Sequence, residues 1–91
     1  MAVKSLLIGY DLNRPGQDYS SLIKEIKAFE TWWHHLDSTW IVRTSKTTNE
    51  VRDVLKQHID SGDELLVAEL TGNAAWVGFN QTGSKWLKEN L

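Results

Sequence analysis

Thr31-Trp-Trp-His-His-Leu36, then Asp37-Ser38, then Thr39-Trp-Ile-Val-Arg-Thr44 is the stretch that decides the fold. Both runs are rich in β-branched and aromatic side chains, and only two turn-forming residues separate them, so they read as a tight hairpin. On its C-terminal side Thr47 stands three residues before Glu50, the spacing of a capping box. Behind that pair Val51, Val54, Leu55 and Ile59 recur at helical intervals until Ser61-Gly62 closes the helix. On its N-terminal side Tyr19, Leu22, Ile23, Ile26 and Phe29 mark the clearest amphipathic helix, with Lys24, Glu25 and Lys27 opposite and Asp18 as the expected N-cap.

Two further strands enclose these elements. Val3 to Tyr10 is apolar without strict alternation, the mark of a strand covered on both faces or central in a sheet. It ends in Asp11 and enters the turn Asn13-Arg14-Pro15-Gly16, where Pro15 presets one φ and Gly16 accepts a positive one. Residues 64–71 read as the closing strand. The order β-α-β-β-α-β implies an α+β chain with the ferredoxin-like plan, a four-stranded antiparallel sheet with two helices on one face. The tail adds an expected fifth strand, Ala74 to Phe79, and a short helix over Thr82 to Asn90 with Trp86 and Leu87 as its apolar contacts. Trp40 and Ile26 are expected in the core.

Ninety-one residues, 1–91, make one domain and leave no room for a second core. A chain of this size buries only about 60–65% of its unfolded surface, so stability gained from a second copy is expected. Ten basic against twelve acidic side chains give a net charge of −2, which excludes the basic excess of a strong, nonspecific nucleic-acid binder. With no cysteine there is no disulfide framework, thiolate metal site or cysteine nucleophile. Leu6-Leu7-Ile8 is too short for a signal-peptide core, and no apolar run reaches the length of a membrane span, so a cytoplasmic protein is expected.

Asp11 is the first candidate for chemistry. A carboxylate at the exit of a buried strand meets water, a cation or a ligand, and a two-fold axis would present it twice, enough to hold magnesium with water or phosphate oxygens. The plainer reading is a cap on the following turn. His34 and His35 point to opposite faces of a strand and so cannot grip one ion together. His58 falls late in its helix, where capping suffices. Trp32 and Trp33 likewise diverge, so at most one belongs to the helix-covered core. The other must face solvent, a partner or a ligand, and in a net acidic chain a protein interface outweighs base stacking. Arg14, Arg43 and Lys46 are the residues a phosphate at the Asp11 end could use, depending on register.

The strand ending Tyr10-Asp11, the hairpin with Ser38-x-Trp40, the helix beginning near Val51-Arg52 and the strand Glu64–Leu70 together resemble the small CRISPR-associated adaptation nucleases of the Cas-two family and the VapD-type toxins. The run Trp33-His34-His35-Leu36-Asp37-Ser38-Thr39-Trp40 resembles the stretch found in small bacterial SinR-family proteins of the same plan. The resemblance covers about residues 3–71. It implies a homodimer in which Asp11 of both subunits binds magnesium and supports phosphodiester cleavage, with nucleic acid on Arg14 and Arg43. Where that family carries a basic run, this chain has Asn13-Arg14-Pro15-Gly16. The residues therefore support two readings: a homodimeric, non-catalytic binding or interaction module whose interface includes Trp76, Val77 and Phe79, or a magnesium-dependent endonuclease acting on RNA or DNA.

Overall fold

The structure, a computed structural model, describes residues 3–13 and 19–91. Arg14, Pro15, Gly16 and Asp18, which the sequence assigns to a turn, a phosphate contact and a helix cap, lie outside the described residues. Along the chain come β1 (Lys4–Asp11), α1 (Ser20–Lys27), β2 (Thr31–Leu36), β3 (Thr39–Thr44), α2 (Thr48–Lys56), β4 (Glu64–Leu70) and α3 (Gln81–Asn90). The strands form one four-stranded sheet in the order β2-β3-β1-β4, and each neighbouring pair is antiparallel. β1 and β2 therefore run parallel with β3 between them, and β3 and β4 run parallel with β1 between them.

One face of the sheet is covered by α1 and α2. Leu22 and Ile26 of α1 and Val51 and Leu55 of α2 bury against Leu6, Ile8, Trp40 and Val42. Trp40 is 1% exposed, and its indole N–H has a partner in the Tyr10 hydroxyl at 3.0 Å, so the large ring enters the core without an orphaned donor. The helix α2 starts as its sequence dictates. The Thr47 hydroxyl accepts from the Glu50 N–H at 3.2 Å, and the Glu50 carboxylate accepts from the Thr47 N–H at 2.8 Å. Hydrogen bonding to the carboxylate, from the Thr47 backbone N–H foremost and then from the Thr47 side chain, holds the Glu50 carboxyl below its ordinary value of 4.5, with Lys46 and Lys4 adding attraction. His58 lies just past the end of α2, where its Nε2 is 3.9 Å from a Glu25 carboxylate oxygen of α1.

The hairpin between β2 and β3 turns on Asp37-Ser38, with Leu36 opposite Thr39. No described residue other than glycine has positive φ, which rules out the mirror-image turns that match strand twist. The mismatch is absorbed next door. The register of β2 shifts between Trp33 and Leu36, so one extra residue opposes Trp40 and the alternation of side chains slips by one. His34, on the face of Trp32, stacks on Trp40, ring centres 3.6 Å apart and planes 10° apart, and His35 lies beside Trp33 on the other face, so the slip takes effect at Leu36, which is brought opposite Thr39.

The other face is covered in part by α3. Trp33 and Ile41 bury against Leu87, with Trp76, Phe79, Trp86 and Leu91 packed around them. The two indoles are anchored: Trp33 donates to the Gly83 carbonyl at 3.2 Å and Trp86 to the Thr31 hydroxyl at 2.9 Å. Asn80 caps the start of α3 by accepting from the Gly83 N–H at 2.8 Å. At its end the Asn90 carbonyl, which has no helical donor, accepts from Ser5 Oγ and from Arg43 Nη1 at 3.3 Å.

The expected fifth strand, 74–79, does not form. Gly78 stands within it at φ 91° and Gly72 before it at φ 95°, left-handed conformations that an extended strand does not contain. Its aromatics are drawn instead onto the sheet, with Phe79 edge-on to Trp33 at 4.9 Å. The segment is an irregular strap that carries the chain from β4 to α3. No helix of the described residues is long and apolar enough to cross a membrane.

Candidate functional site

Asp11 is the last residue of β1 and is exposed, as the sequence predicts. It stands directly opposite Glu64 of β4, so both side chains leave the sheet on the same face, in a shallow depression of about 360 Å³ shared with Gly9 and Leu66. The turn beyond is held by a different carboxylate. Asp63 accepts from the Asn13 N–H at 2.8 Å, from the Tyr19 hydroxyl at 2.9 Å and from the Asp60 N–H at 2.8 Å. Sequence reading missed Asp63 because two of these partners, Asn13 and Tyr19, come from the distant connection between β1 and α1, and only Asp60 shares its own connection between α2 and β4. Its only local signal is its place after Gly62, ahead of a strand.

Among the described residues no three His, Cys, Asp or Glu side chains gather as a metal site. The single chain supplies the Asp11–Glu64 pair, a donor set that suits magnesium only when water or phosphate oxygens complete the shell. Of the cations expected nearby, the two among the described residues are elsewhere. Arg43 stands opposite Ser5, at the far end of β1, about 20 Å from Asp11 at roughly 3.3 Å per residue. Its Nη1 is engaged by Ser5 Oγ at 3.0 Å and by the end of α3. Lys46 follows β3 beyond that same end, since Thr44 faces Lys4. Register, not composition, separates these cations from Asp11.

The second sheet face has a more extensive feature. Leu36, Thr39, Gly9 and Leu66 are successive cross-strand neighbours, forming one row that spans the sheet from edge to edge. α3 does not reach this row: Leu36 is 48% and Leu66 is 60% exposed. Gly9 keeps the strip flat by choice of residue rather than by necessity, because a Cβ there would meet only Leu7 at an ordinary 3.7 Å. The strip continues into a groove of about 360 Å³ lined by Leu7, Ile41, Leu91 and the strap residues Trp76 and Val77. Of the three residues assigned to an interface, Trp76 and Phe79 are half-buried on their own chain, whereas Val77 is 91% exposed beside the groove.

A third feature lies on the free edge of β2, a groove of about 540 Å³. One wall is four consecutive residues, Trp32 to His35, and the other is Thr82, Lys85, Trp86 and Glu89 of α3. Trp32 is the indole that faces outward, edge-on to Trp40 at 5.3 Å and capped by the Lys27 ammonium 5.5 Å from its centre. The His34 Nε2–H donates to the Asp37 carbonyl at 3.0 Å, which fixes that ring's tautomer.

No protein-family model matches the chain, and no solved structure matches it.

Proposed function

We propose that this chain is a small homodimeric, non-catalytic interaction module of the ferredoxin-like plan, similar to the Cas-two, VapD-type and SinR-family proteins and acting in the cytoplasm. The observation that carries the reading is the uncovered apolar row Leu36–Thr39–Gly9–Leu66 with Val77 beside it. A contiguous apolar strip on a sheet face, rimmed here by Asp11 and Glu64, is the kind of surface that soluble proteins keep for a partner. A second copy is the occupant that a chain of this size needs most. The ferredoxin-like reading is supported by the two interleaved β-α-β units and by α1 and α2 sharing one face. Concentration-dependent NMR tests the reading. Amide signals of Gly9, Thr39, Leu66 and Val77 should move with protein concentration, and a spectrum that stays constant from micromolar to millimolar would remove it.

The magnesium-dependent endonuclease is the second reading, favoured by one observation, the exposed Asp11–Glu64 pair on a shared face. A bound magnesium ion would polarise a phosphate and acidify its own water. The protein's part would be limited to holding that ion through Asp11 and Glu64. Purified protein with magnesium is expected to leave RNA and DNA intact, and Asp11→Asn should be silent. Cleavage by wild type that Asp11→Asn abolishes would establish the second reading.

A further inference from the structure

The groove beside β2 has a geometry that names its ligand. Trp32, Trp33, His34 and His35 are consecutive in a strand, where side chains alternate between faces. All four can line one groove only along the feature they share, the strand's own edge. β2 is an outer strand, so that edge presents backbone N–H and C=O groups with no ladder partner. The opposite wall, Thr82, Lys85, Trp86 and Glu89, is an i, i+3, i+4, i+7 stripe, one face of α3. Strand edge and helix stripe have matching reach. Three steps of β2 cover about 10 Å at 3.3 Å each, and seven steps of α3 cover about 10 Å at 1.5 Å each.

We propose that this groove binds an extended peptide segment of another protein, added as a strand along β2 and walled by α3. A second copy is the poorer occupant: paired through its own β2, it would bring its own α3 to the same face, against the first. A bare strand meets no such obstacle. The indole donor of the partly exposed Trp86 is already engaged, so this ring offers apolar surface, suited to β-branched side chains. Lys85 and Glu89 have no ion-pair partner among the described residues. They lie about 6 Å apart along the helix axis, close to the roughly 6.6 Å between residues i and i+2 of a strand. α3 runs antiparallel to β2, since Gly83 lies against His35 and Trp86 reaches Thr31. A peptide antiparallel to β2 therefore runs along α3 and meets Lys85 before Glu89. The pattern that fits is acidic-x-basic, with apolar residues on either side.

This surface is separate from the apolar strip and does not depend on dimer formation. The test uses the full chain and three synthetic blocked hexapeptides: Thr-Val-Asp-Val-Lys-Thr, its charge-swapped form Thr-Val-Lys-Val-Asp-Thr, and the first peptide with alternate backbone amides N-methylated. Titrations are followed by ¹⁵N amide shifts. The first peptide should shift residues 32–35 and 82–89 and bind about 3- to 10-fold more tightly than the swapped one, the range expected of two exposed ion pairs. Methylation on the ladder-facing amides should abolish binding. In Lys85→Glu/Glu89→Lys, surface changes that leave the fold intact by circular dichroism, the preference between the two charged peptides should reverse. Shifts confined to the Leu66–Val77 strip, indifference to methylation, no shift with any peptide, or an unreversed preference would each overturn the proposal.

Discussion

The His35 ring lies so close over Gly83 that a Cβ on that glycine would sit 3.0 Å from Nε2 and 3.1 Å from Cε1. The contact joins the extra residue of β2 to the first turn of α3, and it fixes where the helix docks on the edge strand. His35 is itself exposed, so the ring has room to swing away.

Gly83→Ala should therefore be close to neutral, because the helical preference for alanine, about 0.5–1 kcal/mol, offsets the displaced imidazole. In a His35→Ala background the same change should stabilise by about 0.5–1 kcal/mol. A denaturant-melt cycle measures both. A loss above roughly 1.5 kcal/mol from Gly83→Ala alone would show that the ring is locked in place.

Trp40→Ala should cost about 3–5 kcal/mol, as truncating a fully buried large aromatic does. The change also strips the Tyr10 hydroxyl of its indole donor and His34 of its stacking partner. A loss under 1 kcal/mol would be incompatible with Trp40 in the first-face core.

Asp63→Ala should cost about 2–3 kcal/mol, because one carboxylate accepts hydrogen bonds from Asn13, Tyr19 and Asp60. Hydrogen exchange at Asn13 and Asp60 should accelerate with it. Asp11→Asn, by contrast, changes an exposed side chain and should stay within about 0.5 kcal/mol. Equal costs for the two would mean that Asp11 shares in holding the turn.

Glu50 gives a sign for acid sensitivity. Its carboxyl is held below 4.5 in the folded chain, chiefly by the Thr47 N–H, so the folded state binds a proton less readily than the unfolded state. The stability it contributes is present above pH 4.5 and is lost as pH falls through the lowered folded value. Glu50→Gln keeps an acceptor for the Thr47 N–H but carries no charge, so its stability should fall less steeply from pH 5 to acid than that of wild type. Parallel curves would exclude the capping carboxylate as a source of acid lability.

What the sequence reveals of this fold is what local spacing controls. Leu22 and Ile26, Val51 and Leu55, the Thr47–Glu50 box and the two-residue Asp37-Ser38 loop each depend on neighbours within a few positions, and each is found in its expected place. The misreadings share a different cause. Trp76 and Phe79 have strand-like composition, but the left-handed Gly78 between them and the pull of Trp33 and Ile41 decide their conformation. Arg43 looks available to a phosphate until the β1–β3 register places it opposite Ser5, at the end of α3. Of the candidate surfaces, Asp11 is visible in the sequence as a strand end. The row from Leu36 to Leu66 joins residues from all four strands, and only their registers bring it together.

Sedimentation equilibrium on wild type and on Leu66→Asp tests the proposed dimer most directly, since Leu66 is the most exposed side chain of the uncovered row and a charge there leaves the core untouched. Wild type should sediment as a dimer at micromolar concentration, and Leu66→Asp as a folded monomer with an unchanged circular dichroism spectrum. A wild type that is monomeric throughout, or a Leu66→Asp protein that remains dimeric, would contradict the account.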